Sequence, residues 1–211
     1  MRRVPNLNYR KMLILMLFLA CQIMGMCCIF NGLNAGQIQS RQTGPQEILI
    51  ERPEPDEKGG QAYRLIYRVP VPVNIYWRFK TDFENDFLLE NKFIVDHRLI
   101  SRDGNTAITE NRYTSRPGMV FRWKTTFSRQ DLQLHFVLLN PESSGHKFHF
   151  GHICLIPQGN TTQVVQEAYF DFFGASFWAV YPWSGGMKDF LKYTARWEYD
   201  MVLKLYEQYK P

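Results

Sequence analysis

The residues with most chemical potential are five histidines and a pair of carboxylates spread over a run of alternating apolar and polar positions. His97 shares a strand face with Phe93, Val95 and Leu99, and His135 with Val137 and Leu139. A polar ring on an apolar face can point into a cavity and move a proton there, or it can be a hydrogen-bonded core or edge histidine. His146, His149 and His152 look like a metal cluster. On one continuous strand, however, 146 and 152 face one way and 149 the other, and no cysteine or acid stands at a zinc spacing. No metal and no cofactor are expected. Glu167 and Asp171 share a face with Tyr169 between them and have Arg112 and Arg122 as possible partners. That pattern serves acid–base work or a surface ion-pair ladder equally. Cys154, in an apolar run, reads as an inert thiol. Nucleophile elbows, phosphate-binding glycine loops and metal-hydrolase motifs are absent from the sequence.

The elements around these residues follow from periodicity. A short strand is possible at Glu47–Ile50, and 62–69 reads as the first clear strand. Ile75, Tyr76, Phe79, Phe83 and Phe87 recur at helical intervals, with Asp82 able to cap a second short helix over 83–90. From Lys92 the period becomes two. Turns at Asp103-Gly104-Asn105, near Arg129-Gln130-Asp131 and at Gly159-Asn160 divide the chain into six strands, which implies a curved antiparallel sheet. An aromatic loop follows at 174–186. A helix is then expected over 186–209, with Phe190, Thr194, Trp197, Met201 and Leu205 as its apolar stripe.

The N-terminal region is different in kind. Arg10 and Lys11 precede a run from Met12 to Phe30 that is apolar apart from Gln22 and Gly25, the pattern of a signal peptide or membrane anchor. Cleavage after Ala35, retention as an anchor and lipid attachment at Cys21 are all compatible with it. Residues 1–35 are therefore expected to direct the chain to a membrane, 36–60 to be a linker, and 61–211 to be the working domain outside the cytoplasm. Of the formal charge of +5, Arg2, Arg3, Arg10 and Lys11 supply four, so the rest of the chain is nearly neutral. That argues against a nucleic-acid partner.

The order of strand, two short helices, six antiparallel strands and a long terminal helix resembles the START-like superfamily (polyketide cyclase/dehydrase and lipid transport, SRPBCC). The features that carry the likeness are Val69-Pro70-Val71-Pro72-Val73, Thr81-Asp82-Phe83-Glu84, Asp103-Gly104-Asn105 and the helix after Gly185-Gly186. Phe87-Leu88-Leu89 stands where the family often has a tryptophan. The resemblance implies an α+β helix-grip fold, a sheet wrapped around the C-terminal helix with an apolar cavity between them. It also implies a hydrophobic small molecule or lipid as ligand. His97, Trp123, His135 and Phe150 are candidates for the cavity lining, as are Tyr169, Trp183 and Trp197. A cyclase- or dehydratase-like enzyme and a non-enzymatic envelope interaction or scaffold protein are the alternatives.

Overall fold

The computed structural model describes residues 47–173 and 186–211. The segment 1–35, read from the sequence as membrane-directing, the first part of the stretch 36–60 expected to be a linker, and the aromatic stretch with Trp178, Tyr181 and Trp183 lie outside them.

Eight strands form one antiparallel sheet: β1 Ile48–Glu51, β2 Gln61–Val69, β3 Ile94–Asp103, β4 Thr106–Tyr113, β5 Arg116–Ser128, β6 Gln133–Leu138, β7 His146–Gln158 and β8 Thr161–Phe172. Their order is β1-β2-β8-β7-β6-β5-β4-β3. The chain thus runs up one side, crosses to the far edge through the short helices, and returns by hairpins until β8 pairs with β2. Strand β2 shows why one face is core: Tyr63, Leu65, Tyr67 and Val69 are buried at every second position.

Helix α1, Val73–Lys80, starts where Pro70 and Pro72 make further pairing impossible, and Pro72 supplies the carbonyl for the first turn. It ends at Thr81, whose backbone N–H and hydroxyl both return to the carbonyl of Trp77 (3.0 and 2.8 Å). The second helical segment is shorter than the sequence reading expects, a 3₁₀ turn over Asp86–Glu90. Its cap is Asn85, which accepts from the Phe87 N–H at 2.9 Å; Asp82 instead accepts from the Tyr209 hydroxyl (2.7 Å) and Asn85.

Helix α2, Gly186–Lys204, packs over the sheet, burying Leu191, Ala195, Met201 and Val202. Each of the three larger side chains contributes roughly 1.5–3 kcal/mol. The expected single helix breaks at Leu205, and a last turn, α3 Tyr206–Tyr209, turns Tyr209 against Phe79 at 5.9 Å between ring centroids. The result is the α+β helix-grip architecture.

One glycine is required by close approach. A Cβ on Gly151 would lie 2.1 Å from the Glu167 carbonyl oxygen and 2.5 Å from Cζ of Phe136, its neighbour on β6. The missing side chain lets the Phe136 ring lie across β7. Gly151→Ala is expected to destabilise the domain by about 3 kcal/mol, since backbone rather than a flexible side chain must yield. Urea unfolding will measure it, and a change within error of zero would refute the packing argument.

Candidate functional site

A cavity of about 300 Å³ lies between the sheet, the segment after α1, and α2. Its apolar walls are largely aromatic. Phe87 and Trp197 face each other at 5.9 Å on the helical side, and Trp123 and Phe136 at 5.9 Å on the sheet side.

Polar groups enter this wall in three places. At the α1 end, Lys80 Nζ donates to Glu198 Oε1 at 2.8 Å, and both side chains are largely buried. Glu198 Oε2 accepts from the hydroxyls of Tyr67 (2.5 Å) and Tyr76. Burial alone would raise the Glu198 carboxyl. The Lys80 charge and the three hydrogen bonds outweigh burial and hold it below the ordinary carboxylate value. Tyr67 and Tyr76 are driven far above the usual phenol value, by burial first and then by the Glu198 charge. The cluster is a fixed carboxylate with its counter-ion at the cavity wall.

At the β3–β4 side, His97 is held at both ring nitrogens. Nε2 meets the Phe83 carbonyl at 3.0 Å and Nδ1 the side-chain amide of Asn111 at 2.7 Å. At the floor, His149 is buried, and no hydrogen-bond partner reaches its Nδ1. Burial, followed by the neighbouring His146, pushes its pKa well below the usual imidazole value, so it is neutral at pH 7. His146 stacks on it at 5.5 Å and is lowered to about 4, mainly by burial.

The three histidines do not alternate as they would on the continuous strand expected from the sequence. The pairing of β7 with β8 shifts between His146/Phe172 and Phe148/Asp171. This bulge turns His146 onto the same face as His149, leaving His152 alone on the other. Among the described residues no group of three His, Cys, Asp or Glu side chains is placed to hold a metal ion.

Of the residues singled out from sequence, His97, Trp123 and Trp197 line the cavity. His135, Phe150 and Tyr169 do not. Each occupies the strand parity opposite to its buried neighbours Leu134, His149 and Ala168, on the sheet face turned away from the core. There His135 lies across from His152 at 5.9 Å and Phe150 stacks on Tyr169 at 5.4 Å. Glu167 and Asp171 are on that outer face too. Glu167 pairs with Arg64 at 2.6 Å, not with Arg112 or Arg122, because β8 adjoins β2 and not β4 or β5. Asp171 pairs with Lys147 at 2.7 Å. Half-buried Cys154 has its thiol raised by burial and then by Glu167, which disfavours the reactive thiolate. Trp183 lies outside the described residues.

Lys80, Glu198, Tyr67, Tyr76 and the inward His149 were missed in the sequence. One signal was available: Glu198 falls four residues after Thr194 and three before Met201, a carboxylate inside the apolar stripe of α2.

This arrangement, a curved antiparallel sheet gripping a C-terminal helix over a partly apolar cavity, is the START-like (SRPBCC) fold. Solved structures share it at low identity. Norcoclaurine synthase from Thalictrum flavum is similar with a TM-score of 0.52 and 13% identity, covering 85% of this chain and 99% of that one. A truncated form of the same enzyme gives 0.53 and 10%, covering 74% and 96%. A START superfamily protein from Mycobacterium smegmatis gives 0.52 and 12%, covering 68% and 98%. No family model and no curated protein matches the chain. The likeness is one of fold alone.

Proposed function

We propose that the domain binds a small, largely apolar molecule in the cavity between sheet and helix, and that it does so outside the cytoplasm, with residues 1–35 as the membrane-directing segment. The cavity itself carries this reading: about 300 Å³ walled by aromatic rings, with a few polar groups at fixed places. That is the small end of the range of ligand sites, roughly 300–1,000 Å³. Among the described residues no helix is long and apolar enough to cross a membrane, so the membrane connection rests on the run Met12–Phe30.

The test is native mass spectrometry of the full-length chain purified gently from membranes, with extraction of any bound small molecule. A stoichiometric apolar compound is expected. Ala168→Phe, which pushes a ring into the cavity from β8, is expected to lower its recovery about tenfold. An intact folded mass with no ligand, across several membrane preparations, would shift the reading to an interaction or scaffold role.

A second reading, a cyclase- or dehydratase-like enzyme, is favoured by the Lys80–Glu198 pair at the wall. A positioned carboxylate and ammonium can exchange protons with a bound substrate. If that reading holds, Glu198→Gln keeps ligand binding but stops product formation.

A further inference from the structure

The five histidines of the chain divide by what holds them. His97 and His146 are fixed by hydrogen bonds, and His149 is buried at the cavity floor. His135 and His152 are different. They lie on the outer face of the sheet, His135 exposed and His152 half-buried, and among the described residues no hydrogen bond or ion pair engages either ring. They are direct partners across the β6–β7 pairing, with ring centroids 5.9 Å apart. Directly opposed residues on one sheet face have Cβ atoms about 4.5–5.5 Å apart, so both imidazoles can reach one point above the sheet. Strands β6 and β7 are interior, held by β5 on one side and β8 on the other, so the spacing of the pair is set before anything binds. The row continues across the sheet. His152 is opposite Glu167 on β8, Glu167 opposite Arg64 on β2, and Arg64 opposite Glu51 on β1. Glu167 is committed to Arg64 at 2.6 Å and to the Tyr169 hydroxyl at 2.8 Å, which leaves it a neighbouring charge and not a ligand. With two carboxylates to one guanidinium, the row favours a cation beside the histidines.

We infer that His135 and His152 form a chelating site for a late first-row divalent cation of the Zn²⁺ type, on the sheet face opposite the cavity. Imidazole is a favoured donor for such ions. An ion about 2.0–2.1 Å from one nitrogen of each ring lies roughly 3.2 Å from each ring centre, which sets the centres about 5.2 Å apart at a tetrahedral angle. The rings stand at 5.9 Å, and because neither is hydrogen-bonded, small side-chain rotations close the difference. The protein supplies two donors and water completes the coordination, as an open position on a solvent-facing sheet allows. An ion held there ties β6 to β7. It stabilises the folded sheet, since the unfolded chain does not keep the two rings together. Mg²⁺, which takes oxygen ligands, has no comparable site here.

Thermal unfolding of the full-length chain in mild detergent tests this, with Zn²⁺ as the probe and Mg²⁺ as the control. At about 0.2 mM Zn²⁺ and an apparent Kd of about 10 µM, the melting temperature should rise by roughly 4 °C, and Mg²⁺ should leave it unchanged. Zinc taken up by Cys21, Cys27 or Cys28 does not depend on the sheet and does not enter this readout. His135→Gln and His152→Gln, each compared with its own zinc-free curve, should each cut the shift to less than half, because one imidazole alone binds about tenfold more weakly than the pair. Cys154→Ser, on the same outer face two residues after His152, should leave the shift intact. Absence of a zinc shift in the native chain would overturn the inference. So would a shift of equal size with Mg²⁺, a shift that survives either histidine variant, or one abolished by Cys154→Ser, which would assign the ion to the thiol. All of these outcomes leave the cavity reading untouched.

Discussion

Lys80→Ala is expected to lower the stability of the domain by about 3–5 kcal/mol at pH 7, the cost of leaving a buried carboxylate without its counter-ion. Glu198 sits on the buried side of α2, and Lys80 is its one cationic partner among the described residues, at 2.8 Å. Tyr67 and Tyr76 would still donate to it, but two neutral donors do not replace a charge in a poorly solvated site. The expected pH dependence identifies the cause. In the native protein the Glu198 carboxyl lies below its ordinary value, so its contribution is present above the unfolded value and fades as pH falls through the folded one. Without Lys80, burial dominates and the carboxyl rises. The deficit of the variant should then shrink on acidification, as Glu198 takes up a proton. Removing both charges with Lys80→Met and Glu198→Leu should be far milder than removing one, since a buried pair contributes little net stability against an apolar substitute. Urea denaturation at pH 7 and pH 5 measures all of this. A loss under about 1 kcal/mol for Lys80→Ala would mean that the pair behaves as a surface ion pair and that the cavity wall is wet.

The second large effect is acid sensitivity above the carboxylate range. His146 is held at about 4 and His149 well below the ordinary imidazole value of 6.5, in both cases by burial first. The groups facing them give a proton little help: Arg116 opposes charge on His146 and His146 opposes it on His149, while the Ser144 carbonyl favours it on His146. Above the ordinary value neither the folded nor the unfolded chain protonates these rings. Below it the unfolded chain takes up protons that the folded chain refuses, so stability falls with pH. Each ring contributes a slope of about 1.4 kcal/mol per pH unit, so the two together remove roughly 2–4 kcal/mol between pH 6.5 and about pH 5. Glu110, Glu167 and Glu198, all lowered in the folded state, add their losses only below the ordinary carboxylate value of 4.5. Unfolding free energies at pH 7, 6 and 5 will show the loss, and His149→Phe should halve the slope. A flat profile across that interval would contradict the burial of both rings.

Much of the fold could be read from residue order. The β2 alternation, the Val69-Pro70-Val71-Pro72 break and the hairpin turns at Gly104-Asn105 and Gly159-Asn160 are local signals, and the strands and α1 lie where they point. The Asn85 cap and the break at Leu205 were harder to see, because each depends on a partner far along the chain. Tyr209 takes Asp82 away from a capping role only once α3 has folded back onto α1.

The candidate site was less accessible. Alternation separates the two faces of a strand but does not say which face meets a helix, so His135, Phe150 and Tyr169 stood level with His97 and Trp123 until the sheet was assembled. The bulge at Lys147 reverses the parity of His146, and its effect appears only in the pairing with β8. By itself the sequence determined the periods, the turns, the apolar leader and the near-neutral body, because these depend on neighbours in the chain. Only the tertiary structure decided that Lys80 meets Glu198, that Glu167 meets Arg64, and that Thr194, Trp197 and His149 line one cavity. Those meetings join residues from about 45 to over 100 positions apart, and strand order and helix docking, not local propensity, bring them together.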